Sequence, residues 1–400
     1  MNTKTALLGM FLLAMITTQG QEIKSGKFGK GLLNIKGKDS SFTMKVGFRF
    51  QLLGVANFNE SGETNTNFLV RRSRLKFDGF VLNPKLRYKF ELGLSNRDIS
   101  GLSVYNRNTP RYIMDAQIKW NFYRNFELWV GQGKLPGNRE RVVSSGDLQL
   151  VNRSLLNANF NIDRDIGFQL RHHFNLTDSF IVREIFSLSQ GEGRNQTVGN
   201  LGGLQYTGRL ELLPFGNFAS KGDYKGSDLK REQKPKLSIG ATYDHNNNAV
   251  RARSNLGAYM LIDDEQGLYQ TDINTVFVDG MLKYKGNSFM FEYANRTADD
   301  PIVKNSDGTE TGQYVRIGHS INLQAGHLFP SNWEIAGRYT NTYMEFPILA
   351  NAHNTTDMYT LGVSRFIVGH KLKIQSDVSY LDISPNSDNI MVRLQMDIHF

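Results

Sequence analysis

The strongest constraint on this chain is a two-residue alternation of apolar and polar side chains that starts at Phe42 and runs, segment by segment, to Phe400. In the last segment Ile390, Val392, Leu394, Met396, Ile398 and Phe400 share one face, while Met391, Arg393, Gln395, Asp397 and His399 share the other, because successive side chains of a strand point to opposite sides. The first segment sets Phe42, Met44, Val46, Phe48, Phe50 and Leu52 against Thr43, Lys45, Gly47, Arg49 and Gln51. Leu86, Tyr88, Phe90, Leu92 and Leu94 oppose Lys85, Arg87, Lys89 and Glu91 in the same way. Tilted strands of about 9–11 residues cross a bilayer, so one face suits lipid and the other suits water. A mean hydropathy of −0.40 excludes a bundle of membrane helices. It does not exclude a barrel, whose polar lumen dilutes its apolar exterior.

The alternation predicts strands over 42–55, 67–80, 84–95, 112–122, 125–134, 165–174, 179–190, 203–214, 236–245, 272–285, 287–297, 313–325, 331–342, 356–367, 370–381 and 389–400. The implied fold is all-β, a transmembrane antiparallel β-barrel of about sixteen strands. Short links at 81–83, 123–124, 175–178, 286, 326–330 and 368–369 alternate with longer ones, the longest being 135–164. Outer-membrane barrels alternate periplasmic turns and external loops in this manner. The stretch 215–235, charged and rich in Gly and Lys, falls where a short turn is expected and could hide an unrecognised strand pair. Aromatics recur beside the short links: Phe77 and Phe80; Trp120, Phe122, Tyr123 and Phe126; Phe174 and Phe180; Phe329 and Trp333. An interfacial girdle requires that placement. A soluble β-sandwich or propeller also puts aromatics near strand ends, but gives no reason for their repetition at one end of the array.

Lys4, the apolar run 6–16 and the polar break 17–20 read as a signal peptide over 1–20, too short to span a bilayer as a helix of about 20 residues. A basic segment over 21–41 then precedes the barrel, 42–400. The sequence holds no cysteine, which removes disulfides, thiolate metal sites and the lipid-modified cysteine of a lipoprotein. The formal charge is +9, or +8 once Lys4 leaves with the leader, so nucleic acid, anionic lipid and small anions are the partners to weigh.

The water-facing positions near the start are basic: Lys45 and Arg49, then Arg72, Arg74 and Lys76, then Lys85, Arg87 and Lys89. Lining a pore with low-dielectric walls, they would concentrate anions; on a solvated strand face they would only keep the lumen wet. Enzyme chemistry finds little footing. No Gly-x-Ser-x-Gly or His-Glu-x-x-His spacing occurs, and His172 falls on the lipid-facing parity. No cofactor or metal is implied. The acidic run 263–265 reads as a solvated loop tip.

The longest loop opens Gly131-Gln132-Gly133-Lys134-Leu135-Pro136-Gly137-Asn138-Arg139-Glu140-Arg141 and continues through Ser144-Ser145 to Val151-Asn152-Arg153-Ser154. Together with Leu69-Val70-Arg71-Arg72-Ser73-Arg74-Leu75-Lys76-Phe77-Asp78-Gly79, Arg164-Asp165-Ile166-Gly167-Phe168-Gln169-Leu170, the segment 206–214 and the terminal Phe400, it resembles the phosphate-selective porin O and P family of Gram-negative outer membranes. The resemblance spans nearly all of 42–400. It implies a homotrimer of sixteen-stranded barrels whose third external loop, here 135–164, folds inward and narrows the pore. Arg141, after Glu140, stands where the family carries a phosphate-binding lysine, so a point donor becomes a planar fork. Arg153 matches a second basic residue of the constriction, and Arg71, Arg72 and Arg74 match the start of a basic ladder. Lys134, Arg139 and Lys76 are neighbouring anion-binding candidates, with Lys45, Arg49, Lys85, Arg87 and Lys89 lining the pore. Phe400 resembles the signal read by the barrel-assembly machinery.

These readings point to an outer-membrane porin for passive uptake of phosphate or related oxyanions, among them pyrophosphate and polyphosphate. Its other partners would be outer-membrane lipid and lipopolysaccharide, and not nucleic acid. A general diffusion porin with weak anion preference, or a surface barrel acting as adhesin or enzyme, are the alternatives.

Overall fold

The computed structural model describes residues 21–25, 27–60, 62–96, 98–99, 105, 110–197, 199–348, 352–384 and 388–400. The expected signal peptide lies outside them. Sixteen long strands form the wall. The first eight are Phe42–Asn59 (β1), Thr64–Val81 (β2), Asn83–Gly93 (β3), Ile113–Tyr123 (β4), Phe126–Lys134 (β5), Arg164–Asn175 (β6), Ile181–Ser189 (β7) and Gln205–Leu213 (β8). The second eight are Lys236–Ala249 (β9), Thr271–Tyr284 (β10), Asn287–Ala298 (β11), Gly318–Leu328 (β12), Trp333–Phe346 (β13), Ala352–Phe366 (β14), Leu372–Ser384 (β15) and Asn389–His399 (β16). Neighbours pair antiparallel, and β16 closes on β1 from Asn389↔Asn59 to His399↔Arg49. Closure leaves the barrel wall without a free edge to satisfy in lipid.

Each predicted strand corresponds to an observed one. The largest boundary error, at β12, has a local cause. Glu310–Tyr314 pairs with Ile302–Lys304 in an external hairpin, so the alternation before Gly318 belongs to a loop, and Gly318 itself turns the chain at φ +131°. The expected outward face is exposed, including Trp120, Phe122, Tyr123, Phe329 and Trp333 at the short-turn end. Phe400 lies there too, its ring 6.5 Å from Phe48 and 6.4 Å from Phe50. The basic segment 21–41 contains a hairpin, Gln21–Ser25 with Leu33–Gly37, whose second strand extends the sheet along the start of β1 from Leu33↔Val46 to Lys36↔Thr43.

The suspected extra strand pair in 215–235 does not exist. β8 and β9 pair directly, with Leu212 opposite Ile239, and the intervening turn 214–235 folds back inside the barrel. Lys283 Nζ donates to the carbonyls of Gly222, Lys225 and Ser227, each at 2.8 Å. Ser227 Oγ donates to Glu334 at 2.6 Å, and Arg183 to Asp223 at 2.5 Å. Phe218 packs with Ile181, Leu213, Met281 and Met290.

Segment 135–163 likewise lies against inward side chains of the opposite wall. Leu135, Leu156, Phe160 and Ile162 cluster with Phe277 and Ala294, each large side chain contributing about 1.5–3 kcal/mol through burial. Lys373 Nζ donates to Leu148 O at 2.9 Å, and Asp377 accepts the Val151 N–H at 3.0 Å. The two insertions meet where the Gly226 N–H donates to Asp147 O at 2.8 Å. One-sided wetting of every strand was therefore too simple an expectation. Phe277, Met281, Met290 and Ala294 are inward yet apolar, because chain rather than water covers them.

Candidate functional site

On the wall formed by β1–β3, one irregularity decides which arginines face inward. Gln51 pairs with Arg72 but Leu52 pairs with Val70, leaving Arg71 as the extra residue of a β-bulge. Strict alternation would put residues 70 and 72 on one face. Instead Val70 is 51% exposed on the outside and Arg72 only 6% on the inside. The bulge also turns Arg71 inward, where Nη2 donates to Asn152 of the long loop at 3.4 Å.

The inward cations are held in a graded set of partnerships. Arg49 forks Asp397 at 3.0 and 3.1 Å and donates to Ser145 at 2.8 Å. Arg74 forks Asp98 at 2.8 and 2.7 Å and also reaches Glu91 at 3.1 Å. Lys89 pairs with Asp115 and, at 2.9 Å, with Glu91; Arg164 reaches Asp115 at 2.7 Å. Arg72 differs. Its Nη1 donates to the neutral Gln51 amide at 2.7 Å, and the charges that press on it are Arg71, Arg74, Arg49 and Arg153.

Within the loop, Arg141 Nε donates to Asp163 at 2.7 Å. Burial, then the charges of Arg153, Arg164, Arg74 and Arg194, push the Arg141 guanidinium well below its ordinary pKa. Arg153 is pushed down to about 10, by burial first, against the pull of Glu140, with Arg74, Arg164 and Arg49 adding to the depression. It donates to Glu140 O and Val143 O, both at 2.8 Å. Lys134 Nζ donates to the carbonyls of 141, 142 and 143 at 2.7, 3.4 and 3.2 Å. Three donors meeting three acceptors make Lys134 chiefly a loop clamp.

Arg139 requires a correction. The sequence suggests an anion ligand, but the side chain has no exposed surface. It donates to Asp279 and Ser238, each at 2.9 Å, and to Asp223 O at 3.3 Å, so it braces the loop against β9, β10 and the inserted turn. Lys76, Lys45 and Lys85 lie away from the arginine cluster. Lys76 pairs with Asp78 at 2.8 Å, Lys45 lies over the hairpin at Gly31, and Lys85 is exposed at the β2–β3 turn. Arg87 pairs with Glu127 at 2.6 Å.

The structure adds residues that the sequence reading passed over. Arg164 and Arg194 join the arginine cluster. Lys119, Arg171 and Arg183 line a cavity of about 740 Å³ between the long loop and the inserted turn. Alternation alone marks Lys119 and Arg171 as inward, since Ile118, Trp120 and Leu170 are exposed outside.

The sequence model of phosphate-selective porin O and P matches residues 42–389. The chain belongs to the phosphate-selective porin O and P family. A curated protein of uncharacterised function from Aquifex aeolicus (strain VF5) is 24% identical over 363 residues, covering 86% of this chain and 83% of that protein. Among solved structures, OmpF of Salmonella typhi, in complex with daunomycin, is similar at 11% identity and a TM-score of 0.54, covering 90% of this chain and 98% of its own. The outer-membrane channel DcaP of Acinetobacter baumannii gives 11% and 0.54, covering 91% and 99%. OprB of Pseudomonas putida gives 9% and 0.52, covering 94% and 100%. At such identities the solved structures establish the barrel fold. With the family match, they make this member of the porin O and P family an outer-membrane porin.

Proposed function

We propose that this porin passes anions in preference to cations, and that phosphate and related oxyanions are its cargo. The observation that carries the reading is the convergence of Arg49, Arg71, Arg72, Arg74, Arg141, Arg153, Arg164 and Arg194 where the long loop approaches the β1–β6 wall. Carboxylates hold several of them on one edge, which fixes their geometry. Arg72 instead faces an amide and other arginines. An oxyanion arriving there would relieve like-charge repulsion, and the guanidinium fork matches its oxygens. Several weak contacts suit conduction better than one tight site.

In planar bilayers under a KCl gradient, the reversal potential should report chloride permeating several-fold faster than potassium. Millimolar phosphate should inhibit the chloride current, and Arg72→Gln should weaken that inhibition about tenfold. Equal permeability of the two ions would leave a general diffusion pore. Homotrimeric assembly and recognition of Phe400 by the assembly machinery belong to the same proposal. Native electrophoresis of the folded protein and outer-membrane yield of a Phe400 deletion test them.

A further inference from the structure

The cavity between the long loop and the inserted turn has a chemistry unlike that of the arginine cluster. Its volume, about 740 Å³, falls in the range of about 300–1,000 Å³ occupied by sites for drug-sized molecules. A bare tetrahedral oxyanion would leave most of it to water. On one side Trp129 carries two cations on its ring, Lys119 Nζ at 3.4 Å and the Arg171 guanidinium at 3.8 Å from the centroid. Neither forms an ion pair among the described residues. Of the carboxylates lining that wall, Glu127 already takes the indole N–H at 2.8 Å and Arg87 at 2.6 Å, and Asp115 is taken by Lys89 and Arg164. On the other side Ile181, Ile185 and Phe218 contribute an apolar wall inside a lumen that a simple porin would keep polar. The mouth, with Asn125, Asn217 and Lys221, opens at the short-turn end.

We propose that this vestibule is a subsite for organic oxyanions, in which a phosphate or carboxylate group meets Lys119 and Arg171 while an aromatic or other apolar body lies against Ile181, Ile185 and Phe218. The proposal rests on the anion-path reading for delivery of the ligand, but its test is separate. A cation without a carboxylate attracts the headgroup. The apolar body gains from leaving water, an advantage that inorganic phosphate cannot use.

The experiment compares phenyl phosphate with methyl phosphate as blockers of chloride current through the full-length channel. The two share a headgroup and differ in the apolar body. Phenyl phosphate should reach half-block at a concentration at least about tenfold lower. Ile185→Asn should bring the two half-block concentrations together, while Lys119→Gln should raise both. Independently of channel activity, Trp129 emission can be read in a Trp120→Phe/Trp333→Phe protein, since the chain has three tryptophans. Because both headgroup cations lie on its ring, it should respond to both esters, to phenyl phosphate at a concentration at least about tenfold lower. Equal half-block by the two esters, a phenyl preference unchanged in Ile185→Asn, or half-block by both esters unchanged in Lys119→Gln overturns the subsite. If the reversal potential shows anion selectivity while the esters block equally, the subsite fails and the anion path stands. Ester discrimination without anion selectivity gives the converse.

Discussion

Replacing Arg139 by glutamine tests the difference between a pore ligand and a brace. The guanidinium makes charge-assisted hydrogen bonds to Asp279 at 2.9 Å and Ser238 at 2.9 Å, and approaches Glu211 at 3.5 Å, all without exposure. Breaking a buried ion pair from one side costs about 3–5 kcal/mol, mostly because the partner is left unpaired. Here Arg209 still forks Asp279 at 2.7 and 3.0 Å and holds Glu211 at 2.9 Å, so the lower end, about 3 kcal/mol, is appropriate. At about 1.4 kcal/mol per factor of ten, that raises the population of an undocked loop roughly a hundredfold. Limited proteolysis of the folded protein in detergent should therefore cut Arg139→Gln within 135–163 about a hundred times faster than the parent. Current traces should become noisier while the mean reversal potential stays near the parental value. A variant that lost anion selectivity while its loop remained as protease-resistant as the parent would refute the brace and restore the ligand reading.

Lys373 is remote from Arg49 in sequence, but barrel closure sets it opposite Asp397, the carboxylate that Arg49 forks. Its ammonium is fully buried on Leu148 O, so Lys373→Met should also loosen the loop, seen as faster cleavage and added current noise. For Asp98, burial would raise the pKa, but the hydrogen bond and charge of Arg74 outweigh it and the result is lowered. A lowered carboxylate stays ionised until the pH falls through its folded value. The difference in reversal potential between the parent and Asp98→Asn should thus be constant from neutral pH down to about 4, the ordinary Asp value, and shrink only below it. Replacing 216–234 by a two-residue turn should raise single-channel conductance several-fold, because the inserted chain docks on inward side chains and occupies part of the lumen at the short-turn end. Unchanged conductance would mean that the turn lies outside the conducting path.

Much of this architecture was legible in the sequence because a lipid-facing wall imposes a period of two on every crossing, and the alternation survives whatever fills the barrel. All sixteen strands and the position of the long loop followed from that rule. The basic face of β1–β3 followed as well, since charge on the inner parity has nowhere else to go. The tertiary structure decided what the cations do. One extra residue at Arg71 reversed the parity that strict alternation assigns. Arg139 and Lys134, sequence neighbours of Arg141, spend their donors on a distant wall and on the loop's own carbonyls. The stretch 214–235 has the polar composition of a surface turn, yet Lys283, Glu334 and Arg183 receive it inside. Partners such as these lie tens to hundreds of positions away in the chain. A local pattern can state that a side chain points inward, but only the closed barrel determines whether it meets a carboxylate, a carbonyl or the permeating ion.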